Sequence, residues 1–433
     1  MKYTSAEEIN FKKFIDELVL EAYEGGIERF DNILTSLPGV YPSKVMDSLK
    51  RLVSNRNLPR RILSNAIKKT SICNQKSLEI DSVSSYHNKL KRLSLPIPHP
   101  LDYDWRFADR AINFLLEKCL ELTDPSDKVI LLGTPSILSK AMKKRFPRKI
   151  MLFEKGQAIT DTLMRVAPKN CVFQCDLTTD LLPNLSAKAI VCDSPWYLEY
   201  IESFLWSAAQ FCTINGYLLF SMPPAGTRPK VRQEWAIILE WANKLGFKLI
   251  NILFDVLPYV SPPFEQNALR AEGLINIPAE WRSSNLALFI RKYKRGVPRP
   301  PSCSIDGNWS EEVSEGIRIR FRCSNHLKLF EDPTLQTIVH GDILPSVSRW
   351  DGRRKFADIW TSGNRIYGCR GSGLLLIILR ALTEGQKPEQ MIAIKIRRGL
   401  SRDERKMVFK ASDQIERVIK LERDEYMNYV EDK

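Results

Sequence analysis

The sequence predicts an α/β fold in which a mostly parallel sheet is preceded by a helical N-terminal module and followed by an α+β C-terminal domain. Three observations predict it. Short apolar runs alternate with helical stretches between residues 98 and 295. Each of the first four runs leads into a turn or an acid. A proline-rich stretch, Gly296–Pro301, then marks a change in composition, so residues 302–433 are predicted to be a separate domain.

The N-terminal module is predicted to cover residues 1–73. Apolar residues recur on one helical face from Phe14, and residues 37–42 form a turn with a proline start signal for the next helix. A helix-turn-helix or winged-helix module fits this pattern, and so does a plain helical docking module. Residues 74–97, which are rich in Ser, Asn and Lys, are predicted to be a linker.

Four apolar runs of the central segment end at positions suited to a ligand. The first leads into the Gly133 turn, and the next three lead into Glu154, Asp176 and Asp193. Ligands of open parallel sheets bind at the carboxyl ends of the strands, near the topological switch point. A glycine turn lets the backbone approach a ligand closely, and an acid about 20 residues later can accept ribose hydroxyls. Asp176 can accept an adenine amino group.

The fourth run leads into Asp193-Ser194-Pro195-Trp196. A carboxylate can accept one N–H of an amine, a backbone carbonyl in a stiff turn can accept the other, and an aromatic ring can stack on a flat substrate. The combination therefore suits a site that grips an amino group. The alternative is ordinary turn chemistry, because Asp-Ser-Pro is also a common way to leave a strand.

Together these positions resemble the class I S-adenosylmethionine-dependent methyltransferases, in particular N6-adenine-methyltransferase-like proteins. Their catalytic tetrapeptide is usually Asp/Asn-Pro-Pro-Tyr/Phe/Trp. Ser194 departs from it, because it stands where the first proline is expected. Gly133-Thr134-Pro135-Ser136 departs from the commoner Gly-x-Gly turn, and is similar to the Pro-Ser loop of a subset of these proteins.

The resemblance implies a Rossmann-like sheet, S-adenosylmethionine as the cofactor, and methyl transfer to an amino group, with a nucleic-acid base as the favoured target. The amine would be held in line with the methyl sulfonium, and the base would be flipped out of a duplex. The implied cofactor-binding residues are Gly133, Thr134, Pro135, Glu154, Asp176 and Phe107. The implied catalytic residues are Asp193 and the carbonyl of Ser194 as amine acceptors, Pro195, and Trp196 as the stacking ring.

The segment just before the sheet, Asp104-Trp105-Arg106-Phe107, has two interpretations. In the family that the chain resembles, a segment at this place often packs over the methionine part of the cofactor. Alternatively, a helix begins here, with Asp104 as its N-cap and Trp105 and Phe107 in the core.

The remainder of the sheet is predicted from three further runs, Tyr217–Ser221, Phe247–Phe254 and Asn285–Arg291. The last two look like the antiparallel pair that closes the methyltransferase sheet. Asn215-Gly216 is predicted to be a turn. Ser261-Pro262-Pro263-Phe264 imitates the tetrapeptide of cytosine N4-methyltransferases, but its position is wrong for that role and it is predicted to be a loop.

The C-terminal domain resembles no family that we recognise. Strict alternation predicts a strand over Ile317–Arg322, and Ser362-Gly363-Asn364 predicts a hairpin within Phe356–Ile366. Leu374–Leu382 is predicted to be a buried helix, and residues 401–432 one or two charged helices. We expect the domain to recognise a target or a protein partner.

Composition limits which partners, metals and cellular location the sequence predicts. The 65 Lys and Arg against 51 Asp and Glu give a net charge of +14, which favours nucleic acid as a partner. A protein partner is expected through the N- or C-terminal module. The nine cysteines and four histidines lack zinc-ligand spacing, so no metal is predicted. The charged N-terminus and the short apolar runs predict a cytoplasmic protein without a membrane segment.

Two rival functions come from other classes. Branched-polyamine synthases share this scaffold and tetrapeptide and move an aminopropyl group, but their first loop tends to be acidic and residues 133–136 carry no acid. The other rival is a non-catalytic nucleic-acid-binding or partner-binding protein on the same fold, which Ser194 and the glycine-poor loop favour. Cofactor binding separates it from both enzymes.

Overall fold

The computed structural model describes residues 4–63, 95–302, 307–323 and 329–431. They divide into two compact units. The first unit comprises the described part of Met1–Leu95 together with Trp105–Ser261 and Gly273–Cys303. The second comprises Pro96–Asp104, Pro262–Glu272 and the described part of Ser304–Lys433. Pro96–Asp104 and Pro262–Glu272 therefore pack with the C-terminal residues, although they lie largely inside the segment predicted as one domain, 98–295.

Helices open the first unit, as the sequence predicts: α1 (Ser5–Glu24), α2 (Phe30–Ser36) and α3 (Pro42–Ser54). A capping box between Thr4 and Glu7 starts α1, and a proline in the first turn starts α3. The N-terminal module contacts the rest of the first unit at Lys230, which pairs with Glu7 of α1 at 2.6 Å. A short 3₁₀ helix, Arg60–Leu63, follows in the same module. Most of the linker predicted over residues 74–97 lies outside the described residues.

The sheet of the first unit has eight strands. They are β1 (Arg106–Phe107), β2 (Lys128–Leu132), β3 (Lys149–Glu154), β4 (Val172–Gln174), β5 (Ala187–Cys192), β6 (Cys212–Met222), β7 (Phe247–Val260) and β8 (Ser283–Arg291). Their order is β1-β7-β8-β6-β5-β2-β3-β4. Strands β2 to β6 are parallel, and β8 is antiparallel to both β6 and β7. The predicted parallel sheet and its closing antiparallel pair are confirmed.

Helices cover both faces of this sheet: α4 (Asp109–Glu121), α5 (Pro135–Lys143), α6 (Gln157–Met164), α7 (Leu198–Phe211) and α8 (Val231–Lys244). Alternate residues of a strand point to opposite faces, so each strand contributes to two cores. Ile130 packs in the core beneath α7 and α8, whereas its neighbour Leu131 packs in the core beneath α4 to α6. Burial on both faces explains why these strands are continuous apolar runs.

Three local expectations are wrong. Strand β7 continues to Val260, beyond the predicted end at Phe254, and its last residues pair with β1. Asn215-Gly216 lies inside β6 rather than in a turn, with Asn215 in the left-handed region at φ 58°. Residues 261–264 are not a loop throughout, because helix α9 (Pro263–Ala271) begins at Pro263. Proline suits the first turn of a helix, since the missing N–H has no partner there.

The second unit contains a five-stranded antiparallel sheet and, besides α9, three helices in the described residues. The strands are β9 (Trp309–Ser314), β10 (Ile317–Arg322), β11 (Thr334–Thr337), β12 (Ile359–Thr361) and β13 (Ile366–Arg370), in the order β11-β13-β12-β10-β9. The helices are α10 (Ser372–Thr383), α11 (Pro388–Ile396) and α12 (Arg402–Glu431). The predicted strand, hairpin and buried helix are confirmed as β10, β12–β13 and α10. No helix of the described residues is long and apolar enough to span a membrane.

A buried charge cluster holds the Pro96–Asp104 segment in the second unit. Arg318 on β10 is fully buried, and its Nη2 lies 2.5 Å from Oδ2 of Asp102. Arg320 contacts the same oxygen at 2.7 Å, and both arginines contact Oε1 of Glu311, at 3.0 and 2.7 Å. Burial alone would raise the pKa of Asp102, but the two guanidinium groups hold it well below its usual range. Asp102 is therefore ionised throughout the physiological range.

Candidate active site

The strand order brings most of the predicted site residues to one edge of the first unit's sheet. Strand β2 lies between β5 and β3. Gly133 and Asp193 directly follow β2 and β5, and Glu154 is the last residue of β3. Asp176 follows β4, the next strand outward. The order of the strands in the sheet reverses between β2 and β5. Open α/β sheets bind ligands at such a switch point.

Gly133 packs against the turn that carries Asp193. Its φ is +68°, a conformation that favours glycine. A Cβ on this residue would lie 2.8 Å from the carbonyl oxygen of Asp193 and 3.1 Å from the Phe204 ring. The two turns are also tied by backbone hydrogen bonds, because Asp193 N–H donates to Leu132 O at 3.1 Å. The position of Asp193 therefore depends on the absence of a side chain at residue 133.

A Gly133→Ala substitution is expected to destabilise the first unit more than Gly273→Ala. Both glycines have positive φ, so both substitutions carry a left-handed penalty of about 1–2 kcal/mol. Only Gly133 is crowded, because a Cβ at Gly273 meets nothing within 4 Å. We expect an additional loss of about 1–3 kcal/mol for Gly133→Ala, measured by urea unfolding. Equal losses of unfolding free energy for the two variants would mean that the loop around Gly133 can move to accommodate a Cβ.

Two hydroxyl groups beside these turns are buried without a hydrogen-bond partner. Thr134, the N-cap residue of α5, is 2% exposed, and its Oγ1 makes no hydrogen bond in the described structure. Ser194 is 4% exposed, and the same holds for its Oγ. Buried polar groups normally have partners. These two hydroxyls can therefore serve as hydrogen-bonding groups for a bound ligand, as the chemistry of a cofactor at this edge would require.

Asp193 is held by a hydrogen-bond network from the antiparallel strands. Tyr259, at the end of β7, donates its hydroxyl to Oδ1 of Asp193 at 2.8 Å. The Tyr259 hydroxyl also contacts Ser221 Oγ at 2.7 Å, and Ser221 contacts Ser284 at 2.9 Å. Burial, with the negative charge of Asp193, raises the pKa of Tyr259 well above its usual value. The phenol therefore stays protonated and remains a donor to the carboxylate.

Trp196 lies in an aromatic cluster formed by Trp105, Phe107, Trp196, Tyr259 and Trp281. It is 8% exposed, with the Tyr259 ring at 5.7 Å in an edge contact. The guanidinium of Arg282 lies 4.0 Å from the Trp196 ring and 4.3 Å from the Trp105 ring, a distance at which cation–π attraction is strong. A base can stack on Trp196 only after the groups around this ring move.

Phe107 lies within the aromatic cluster and not at its surface. It is 4% exposed and stacks on Tyr259 at 4.6 Å, because β1 pairs with the end of β7. The alternative in which Asp104 caps a helix is wrong, since the next helix, α4, starts at Asp109 with Ala108 as its N-cap. Asp104 instead belongs to the second unit, where it lies 3.9 Å from Arg318.

Glu154 and Asp176 are both tied to neighbouring backbone. Oε1 of Glu154 accepts the N–H of Gly156 at 2.8 Å, which orients this carboxylate at the end of β3. Asp176 accepts from Thr178 and pairs with Lys155 at 2.8 Å. Burial would raise the pKa of Asp176, but these two partners lower it below its usual value. An adenine amino group at Asp176 would share the carboxylate with Lys155 and Thr178.

Sequence reasoning missed Tyr259, Ser221, Ser284 and Arg282. The sequence carries no periodic signal for Tyr259, because Leu257, Pro258 and Tyr259 are all buried at the end of β7. The others lie on or next to β6 and β8 and contact the site only through the antiparallel pairing. Among the described residues, no group of His, Cys, Asp and Glu is arranged to hold a metal ion.

The fold is similar to that of several solved structures. The chain is similar to a branched-chain polyamine synthase mutein from Thermus thermophilus, which was solved with N4-aminopropylspermidine and 5′-methylthioadenosine. This match has 11% identity and a TM-score of 0.50, and it covers 67% of this chain and 90% of that chain. The synthase without the mutein changes matches over the same shares with 11% identity and a TM-score of 0.49. A TehB-like SAM-dependent methyltransferase from Corynebacterium glutamicum matches with 14% identity over 42% of this chain and 89% of that chain, at a TM-score of 0.30.

The first unit is therefore a Rossmann-like α/β sheet, as the sequence predicts. No protein-family model matches the sequence, and no curated protein matches it. The likeness to solved structures establishes the fold, and the function has to be argued from the site.

Proposed function

We propose that this chain is an S-adenosylmethionine-dependent transferase that methylates an amino group, with a nucleic-acid base as the favoured acceptor. The observation that carries the proposal is the setting of Asp193. Its carboxylate stands at the end of β5, beside the switch point, and a protonated tyrosine at 2.8 Å fixes its Oδ1. A carboxylate oriented in this way can accept an N–H of an amine and hold it in one direction.

The donor supplies a methyl group on a sulfonium, and the residues at the sheet edge fit its other groups. Glu154 supplies a carboxylate for ribose hydroxyls, and Thr134 and Ser194 supply the two buried hydroxyls without partners. The Gly133 turn keeps side-chain atoms away from this edge. These features support donor binding at the ends of β2 and β3.

The chain's own contribution to the reaction is positioning. Asp193 and the carbonyl of Ser194 accept the two N–H bonds of the amine, so that its lone pair points at the methyl carbon. The donor would supply its methyl carbon to the nitrogen as its sulfur–carbon bond breaks, and it would leave as S-adenosylhomocysteine. The amine then loses one proton, which Asp193 or water accepts. Tyr259 keeps its proton and holds the carboxylate in place.

A nucleic-acid acceptor is supported by the net charge of +14. The aromatic cluster supports it too, provided that Arg282 leaves the Trp196 ring when a base enters. The acceptor nitrogen would then meet Asp193 while the base rests on Trp196.

Aminopropyl transfer is the second candidate. The fold match to a branched-chain polyamine synthase, which extends over 67% of this chain, favours it. Against it stands the first turn, because residues 133–136 carry no acid to pair with the amine of a decarboxylated donor. A non-catalytic binding protein on the same fold is the third candidate, and the serine at 194 favours it.

One experiment separates the three candidates. The protein is incubated with methyl-labelled S-adenosylmethionine and single-stranded oligonucleotides, and in parallel with decarboxylated S-adenosylmethionine and a linear polyamine. Label in the oligonucleotide is the expected result. Product in the polyamine reaction alone would favour the second candidate. No transfer and no binding of S-adenosylhomocysteine would leave only the third.

Tyr259→Phe is expected to lower the transfer rate at saturating substrates by about tenfold or more. The change keeps the ring contacts and removes a hydrogen bond to a charged group, which is worth about 1.5–3 kcal/mol. The KM for the donor should stay the same, because Tyr259 orients Asp193 and not the cofactor. Ser284→Ala is the matched control, since it removes a hydroxyl of the same network that does not contact Asp193. A full rate for Tyr259→Phe, or an equal loss for Ser284→Ala, contradicts the positioning role.

Glu154→Ala is expected to weaken S-adenosylhomocysteine binding by about tenfold or more. Charge-assisted hydrogen bonds to ribose hydroxyls, each worth roughly 1.5–3 kcal/mol, would be lost. Glu154→Gln is the control, because its amide oxygen can still accept the Gly156 N–H and so keeps the turn in place. Isothermal titration calorimetry measures both variants. An unchanged affinity for Glu154→Ala would place the pocket elsewhere.

A further inference from the structure

A basic groove on the second unit is not explained by the proposed transfer reaction. It has a volume of about 620 Å³ and lies between α11 and the first turns of α12. Its lining residues are Glu389, Leu400, Arg402, Arg405, Lys406 and Phe409. The volume is within the roughly 300–1,000 Å³ of pockets that take small organic ligands, so a nucleotide fits its scale.

Phe409 presents its ring to this groove instead of to the core. Helix α12 buries Val408, Ala411 and Ile415 against the second unit, at helical spacing. Phe409 falls just outside that stripe and is 76% exposed. Ile394, on the neighbouring α11, is also 76% exposed. A phenylalanine on the polar face of an otherwise charged helix departs from the amphipathic pattern, and such departures mark functional positions.

The groove also concentrates positive charge around the ring. Arg402, Arg405 and Phe409 follow each other at spacings of three and four residues, so they share one helix face. Neither arginine makes an ion pair within the part of the chain that the structure describes. Lys406 pairs with Asp403 at 3.2 Å but remains 68% exposed. These cations stand in the first turns of α12, where the helix dipole opposes positive charge, so helix stability does not account for them.

We infer that this groove binds single-stranded nucleic acid, with a base stacked on Phe409 and the flanking phosphates on Arg402 and Arg405. Proteins that bind single strands without sequence preference combine an exposed aromatic ring with surrounding cations. A duplex offers no base face to the ring, because its bases are stacked and paired. A carboxylate-rich peptide would meet the cations but leave the ring in water. The inference goes beyond the proposed transfer reaction and does not depend on it.

The test is fluorescence anisotropy of the full-length protein with a labelled oligo-dT strand, without any methyl donor. Phe409→Ala should weaken binding by at least about fivefold, because stacking of one base is worth about that much or more. Phe409→Trp should keep the affinity. Phe356→Ala is the matched control, since Phe356 is 58% exposed in the same unit and lies outside the groove. It should bind like the unaltered protein.

The charge contribution is tested by the salt dependence of binding. The double variant Arg402→Ala/Arg405→Ala should flatten the slope of log K against log salt by about 1.4, because each phosphate contact to a single strand contributes about 0.7. Arg417→Ala/Lys420→Ala removes the same charge from exposed positions farther along α12 and should leave the slope unchanged. Equal losses in the two double variants would overturn the inference.

Further outcomes of the binding experiments test whether the groove binds single-stranded nucleic acid. Wild-type affinity of Phe409→Ala, or equal binding of duplex and single strand, would overturn the stacking role. Binding of polyglutamate that depends on the arginines, with no such dependence for oligo-dT, would identify an acidic-protein surface instead. Because this binding assay contains no methyl donor, weaker binding by Phe409→Ala together with a failed transfer assay would count against the proposed function alone.

Discussion

Asp193→Ala is expected to abolish transfer, with a loss of at least about a hundredfold, while S-adenosylhomocysteine still binds. Misplacing a reacting group by about 1 Å can cost that much, and the variant removes the group that we propose aligns the amine. Cofactor affinity should persist, because in the proposed site the donor contacts come from Glu154 and the Gly133 turn. Methyl incorporation from labelled donor measures transfer, and calorimetry measures binding.

Asp193→Asn sharpens this test. The amide oxygen can still accept the Tyr259 hydroxyl and an amine N–H, so a purely positioning role predicts that part of the activity survives. If Asp193 had to remove a proton during the chemical step, the asparagine variant would be as inactive as the alanine variant. Wild-type-like transfer by Asp193→Ala would remove this residue from the site altogether.

Asp102→Ala is expected to destabilise the second unit by about 3–5 kcal/mol, the cost of removing one partner from a buried ion pair. Arg318 has no exposed surface, so it cannot recover the lost interaction from water. Glu311 remains beside both guanidinium groups, and Asp104 lies farther away, 3.9 Å from Arg318. Hydrogen exchange of peptides covering β10 and the β12–β13 hairpin is the measurement, because it reports on this unit separately from the first.

Asp332→Ala is the matched control in the same unit. Asp332 pairs with Lys410 at 2.7 Å, but the two side chains are 69% and 44% exposed. Exposed pairs are worth about 0–1 kcal/mol, so exchange in β10 should hardly change. Asp102 also predicts acid sensitivity. Its pKa is depressed in the folded state, so its contribution is present above the unfolded value near 3.8 and is lost as the pH falls below it. Similar exchange in both alanine variants would mean that the cluster adds no stability.

The positions at the strand ends could be predicted because they depend on local sequence. Gly133, Glu154 and Asp193 each follow an apolar run, and parallel pairing of the runs brings their carboxyl ends to one edge. Asp176 also follows an apolar run, and the structure shows that its strand is the next one outward. What the residues do at that edge remains a prediction, since the experiments above have to assign their roles.

Tyr259 and Arg282 could not be predicted, because they reach the site through pairing between distant strands. Tyr259 is 66 residues from the aspartate that it contacts. Arg282 precedes β8 and stacks between rings from two other parts of the chain. A pattern of alternating residues shows which side of a strand is buried, but not which residue lies opposite.

By itself, the sequence determined the α/β class, the order of the parallel strands along the chain and the candidate residues at their ends. Periodicity and turn chemistry are properties of short segments, so they can be read without the fold. Only the tertiary structure decided that Asp193 is held by a tyrosine, that Arg282 covers Trp196, and that Asp102 packs with Arg318. These contacts join residues up to 216 positions apart, and burial of a charge or a ring depends on everything that surrounds it.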